Sequence, residues 1–154
     1  MQPNETNSVK LSVLLDLVGK KKALLTQILT ICENQETVLS AERNEELDKL
    51  FIGMGNEKQK LVDEVIATDG FFQKIFDELG DDFERTGNNN LDIIQSLQDH
   101  IMGVTELDAK IRLAENRNLD RINRTRVQPI TRSVNEASKQ QLLQQYQSHK
   151  KPKY

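Results

Sequence analysis

The stretch LSVLLDLVGKKKALLTQILTICENQETVL (residues 11–39) decides the fold. Leu11, Val18, Leu25, Cys32 and Leu39 stand seven apart, and Leu17, Leu24, Ile31 and Val38 form a second row beside them. Leu14 and Ile28 fill the gaps. This period belongs to an α-helix and not to the alternation of a strand. Two adjoining rows make a stripe wider than a coiled-coil seam, so the helix must pack against more than one neighbour. Lys20, Lys21 and Lys22 interrupt the run at one turn, where their stems can lie along apolar surface while the ammonium groups reach water. Upstream, Ser8 is the expected N-cap, and residues 1–7 (MQPNETN) read as a disordered lead.

The rest of the chain repeats the helical pattern. Asn44 is a second N-cap candidate, with Glu45 and Glu46 in the first turn, where the helix dipole favours acids. The helix it starts carries Leu47, Leu50, Met54, Leu61 and Val65 on one expected face, with Phe51, Val62 and Ile66 beside them. Asp69–Gly70 either kinks or ends it before Phe71, Phe72, Ile75, Phe76 and Leu79 resume the period. The run GDDFERTGNNN (80–90) reads as a turn, because two glycines and three asparagines oppose helix. A third long helix is expected from about Leu91, with Ile94, Leu97, Ile101, Val104, Leu107 and Ile111 on its stripe, reaching Leu119 and Ile122. Pro129 is hostile to its continuation. The expected architecture is all-α: an elongated antiparallel bundle of three long helices (8–126) with a short or frayed C-terminal helix in the tail.

Composition agrees with a narrow core. Of 154 residues, 36% are apolar and 29% charged, with no tryptophan, which suits seams between helices better than a thick globular centre. Cys32 is alone and excludes an intramolecular disulfide; inside the stripe it reads as a small core residue. No run approaches the ~20 apolar residues of a membrane span, and no signal peptide is visible. A cytoplasmic protein without stable membrane insertion is the expectation.

Searching for chemistry yields little. There is no phosphate-binding glycine loop, HExxH or EF-hand loop. A di-iron bundle needs Glu-x-x-His on two helices, and neither histidine here has Glu three residues before it. Asp81, Asp82 and Glu84 match no calcium loop. His100, in LQDHIMGVTE, is the one residue that suits group transfer in a bundle; Gly103 follows it, but no lysine is near it in sequence. Neither an enzyme nor a cofactor is expected.

Charge points to binding instead. Residues 1–120 hold 13 Lys/Arg against 23 Asp/Glu, whereas residues 121–154 hold 8 Lys/Arg against Glu136 alone. An acidic body with a basic, flexible tail (127–154) suggests a scaffold and an element that reaches out. Nucleic acid is disfavoured as a partner by the acidic body and by the scarcity of stacking aromatics. Ile122, Val127, Ile130, Val134, Leu142, Leu143 and Tyr146 supply small apolar anchors suited to coupled folding on a protein client. Arg124, Arg126 and Arg132 would steer an acidic client surface.

Residues 36–65, ETVLSAERNEELDKLFIGMGNEKQKLVDEV, resemble the FlgN-like flagellar export chaperones. Glu36 with Val38 and Leu39 matches the end of that family's first helix, and Leu47, Leu50, Lys58 and Leu61 match its second. Asn116 and Asn118, followed by Leu119 and Ile122, resemble its third helix. The resemblance implies a cytoplasmic chaperone of the flagellar type III secretion system; a monomer or weak homodimer is the expected state. Such a chaperone binds hook-associated (hook–filament junction) proteins, prevents their premature assembly and delivers them to the export apparatus. Its C-terminal region engages the client. The alternatives are a filament-cap type (FliT-like) chaperone or structural coiled-coil adaptor and, from another class, a histidine phosphotransfer protein using His100.

Overall fold

A computed structural model describes residues 3–126. They form α1 (Pro3–Ser40), α2 (Glu45–Leu79), a short α3 (Asp82–Asn88) and α4 (Leu91–Arg126). No strand occurs among the described residues, and the all-α bundle of three long helices stands. At 1.5 Å per residue, each long helix spans ~50 Å.

α1 is the central helix. Leu11, Leu14, Val18, Leu24, Leu25, Ile28 and Cys32 are buried along it, so the double row does face two neighbours. α2 runs antiparallel to α1: Lys10 at one end pairs with Glu78 at 3.5 Å, and Gln35 at the other reaches the Phe51 carbonyl. α4 runs alongside α1 in the same direction, tied by Asn90 to Ser8, Arg117 to Glu36 and Arg121 to Ser40. α2 and α4 nowhere bring Cα atoms within 8 Å of each other and meet only through side chains. The core falls into three apolar groups in succession. Leu11, Leu14 and Leu79 lie at one end; Leu25, Ile28, Val62, Val65 and Ile111 in the middle; Phe51 and Ile122 at the other end.

Four local expectations need correction or refinement. α1 begins at Pro3, so residues 3–7 are helical rather than a disordered lead. Proline suits the first turn, where no N–H donor is needed, and Glu5 lies in the same turn. Ser8 is therefore inside the helix, and its hydroxyl accepts a hydrogen bond from Asn90 Nδ2 at 3.1 Å instead of capping.

α2 is continuous through Asp69–Gly70. Asp69 is held by Lys21 at 2.8 Å, and packing along the helix offsets the ~1 kcal/mol that a glycine costs. Asn44 does cap α2, accepting from the Leu47 N–H at 2.8 Å.

The run 80–90 contains α3, not only a turn. Gly80, at φ +51°, ends α2, and α3 packs so closely on α4 that a Cβ at Gly87 would lie 3.0 Å from Ile94 Cδ1. Thr86 and Gly87 are buried there.

The buried stripe of α2 also differs from the expected face. It comprises Asp48, Phe51, Gly55, Lys58, Val62, Val65 and Thr68. Leu50 and Ile66, expected on the packed faces, are exposed. Phe51, Val62 and Val65 are buried as expected, and the polar Asp48, Lys58 and Thr68 share their face, which the pattern reading gave to apolar residues alone.

Candidate functional site

Between the middle and end apolar groups lies a polar layer built from all three long helices. Lys58 of α2 is 0% exposed. Its Nζ stands 3.2 Å from Glu115 Oε1 of α4 and donates to Gln35 Oε1 of α1 at 3.0 Å. The Cys32 thiol donates to the same Glu115 oxygen at 3.9 Å, and Asn118 Nδ2 donates to the Cys32 carbonyl at 3.0 Å. Burying an ammonium is tolerable only with such a shell, because attraction and hydrogen bonds must offset lost hydration. Burial pushes the Cys32 thiol up to about 12, against the opposing pull of Lys58. A thiol so held is not a nucleophile at neutral pH. Helical period did not flag this layer: the sequence reading named Cys32 as a core residue and Lys58 and Asn118 only within the resemblance, and nothing in it joined them to Gln35 and Glu115.

The expected client anchors divide sharply. Ile122 is 1% exposed and packs with Phe51, Val38, Leu39 and Leu119. It is a core residue, and the expectation that it grips a client is corrected: its stripe position continues the α4 seam instead of leaving it. Arg124 is exposed on the last turns of α4, and Arg126 closes that helix. Val127, Ile130, Arg132, Val134, Leu142, Leu143 and Tyr146 lie outside the described residues.

His100 is half-buried, with its ring against α1 at Gly19, where an added Cβ would lie 3.8 Å from Nε2. The fold supplies the lysine that the local sequence lacks: Lys22 of α1 lies across Gly103, 2.8 Å by its Cε from where a Cβ would stand. Of the three lysine stems expected to lie on apolar surface, Lys22 thus lies against α4, whereas Lys20 is exposed. Asp99 and Glu106 are exposed on the same helix. Among the described residues, no group of three His, Cys, Asp or Glu is arranged to hold a metal. No described helix is long and apolar enough to cross a membrane.

A further feature of the described residues is an open groove of about 700 Å³ between α1 and α2, on a flank away from α4. Thr26, Thr30 and Ile31 form its α1 wall, and Leu50, Met54 and Leu61 its α2 wall. Gly53 lowers the α2 wall, and a Cβ there would meet nothing within 4 Å. Its surface is chiefly apolar, and Leu50 is 49% exposed. No protein-family model, curated protein or solved structure matches this chain. The groove is thus judged on its own chemistry: a channel with apolar walls, Lys49 and Glu57 at its rim, and room for the side chains of one amphipathic helix.

Proposed function

We propose that this chain is a non-catalytic cytoplasmic binding protein, an export chaperone of the flagellar type. It holds hook-associated proteins unassembled and hands them to the type III export apparatus. The observation that carries the reading is the open apolar α1/α2 groove on the helical bundle. A surface of that kind suits capture of an amphipathic helix that would otherwise self-associate.

The residues behind the sequence resemblance support the same reading, since several tie the helices together. Glu36 accepts from Arg117 at 2.9 Å and lies 3.8 Å from Arg121; Lys58 centres the polar layer; Asn118 anchors α4 to α1. The basic residues 127–154 then act as the steering and gripping element, with Arg124 and Arg126 leading into them.

The test is capture of purified hook-associated proteins by the full chain and by a chain ending at Arg126. Ending at residue 120 would remove Ile122 from the core and confuse unfolding with lost binding. The full chain should capture such a client, and the shortened one should keep its helical circular dichroism and lose it. Failure of the full chain to bind any hook-associated protein would sink the proposal.

A further inference from the structure

The α1/α2 groove leaves Leu50 half in water, and no described segment covers it. The chain itself carries a fitting occupant. Leu142, Leu143 and Tyr146 fall at i, i+1 and i+4, one face of a helical turn, flanked by glutamines.

Reach is sufficient. Ile122 packs level with Phe51, so α4 ends ~6 Å beyond that level and Met54 lies ~5 Å on its other side. Passing round the bundle end adds roughly one helix diameter, ~10 Å. Residues 127–141 span up to ~50 Å when extended.

Charge is complementary. Residues 127–154 contain Arg132, Lys139, Lys150, Lys151 and Lys153 against Glu136. Glu33, Glu46 and Glu64 are exposed within a turn of the groove lining. The lysines beside them are already engaged, Lys49 with Glu45 at 3.8 Å and Lys60 with Glu57 at 3.3 Å.

We propose that Leu142, Leu143 and Tyr146 seat in the α1/α2 groove of their own molecule when no client is bound. This rests on the reading of the chain as a client-binding protein, and it makes the groove and the tail two halves of one exchange. The client displaces an internal ligand and thereby frees both surfaces at once. Tethering raises the local concentration of the segment to roughly millimolar, so even a weak intrinsic contact stays populated. A second copy and a foreign helix are the competing occupants.

Two experiments on variants of the full chain decide it. Gly53→Cys with Leu143→Cys places thiols in the groove and on the segment without crowding the helix. Cys32, buried and protonated, does not compete. Oxidised dilute and without client, this pair should form a disulfide within one molecule. It should do so roughly tenfold faster than Leu143→Cys paired with Lys110→Cys on the exposed side of α4. Equal rates, no disulfide, or disulfide only between molecules would overturn the proposal. Gly53→Trp fills the groove while circular dichroism confirms the fold, and should speed tryptic cleavage at Arg132 and Lys139; unchanged cleavage would overturn it. Neither assay contains a client. A positive crosslink with no capture of hook-associated proteins therefore removes the chaperone reading alone, and the reverse result removes only the internal ligand.

Discussion

On α2 the same helix treats polarity in two opposite ways. Lys58 is 0% exposed inside the bundle, while Leu50, two turns earlier, is 49% exposed on the groove. In the polar layer an ammonium is enclosed and matched by Glu115 and Gln35. In the groove, apolar side chains are left to water with nothing described above them. The contrast teaches that burial in this bundle follows helix facing, and that residue type is then accommodated by partners. A charge inside is stable because three helices supply its shell. An apolar row outside costs little in the fold and remains available for binding.

Breaking the polar layer should give the largest effect. Lys58→Ala leaves Glu115 buried without its cation and should cost ~3–5 kcal/mol by chemical denaturation. Lys58→Met combined with Glu115→Leu should be neutral or stabilising by ~1–4 kcal/mol, because desolvation disappears with both charges. A single-variant cost near zero would mean that water reaches the layer. Next comes Ile122→Ala, at ~2–5 kcal/mol, since it empties the apolar group around Phe51. Wild-type stability in that variant would return Ile122 to the list of client anchors. Asn44→Ala should remove ~1 kcal/mol through the lost cap on the Leu47 N–H, read as a shift in thermal midpoint. On the groove side, Leu50→Ala should stay within about 0.5 kcal/mol in stability and show its effect in client capture instead. Cys32 should contribute no pH dependence near neutrality, where the thiol is protonated in both states. Its folded value is raised from 9.0 to about 12, so the unfolded chain ionises first. Stability should therefore fall as pH rises above about 9, with folded protein resisting thiol reagents at pH 8.

Much of the fold was legible because helical period is a local property. The double stripe of residues 11–39 announced a helix with two neighbours, and Asn44 announced the start of α2 through its own side chain. The tail's charge reversal was equally plain. Other features escaped for a common reason. The Leu47–Leu50–Met54–Leu61–Val65 row looked like the core face of α2, yet of it only Val65 is fully buried, and the packed face is rotated toward Phe51, Lys58 and Val62. Only the angle at which α2 meets α1 and α4 separates these two faces. Ile122 stood on the expected stripe of the third helix and was also read as a client anchor, but packing on Phe51 leaves it only the first of those roles. α3 formed against glycine and asparagine preferences because burial of Thr86 and Gly87, with Phe83 packed edge-on against Phe76, outweighs weak local tendencies.

The sequence by itself determined that this protein is helical, how many long helices it has, and that its end is charged against its body. Those properties depend on neighbours within a few residues, through period, capping and composition. Tertiary structure alone decided which lysine goes inside, which leucines stay out, and that the groove opens between α1 and α2. Those outcomes depend on partners tens of residues away: Glu115 holds Lys58 inside, and Ile31 of α1 with Leu50 and Leu61 of α2 wall the groove. A side chain's burial is settled by the surface it meets, and that surface exists only once the helices have packed.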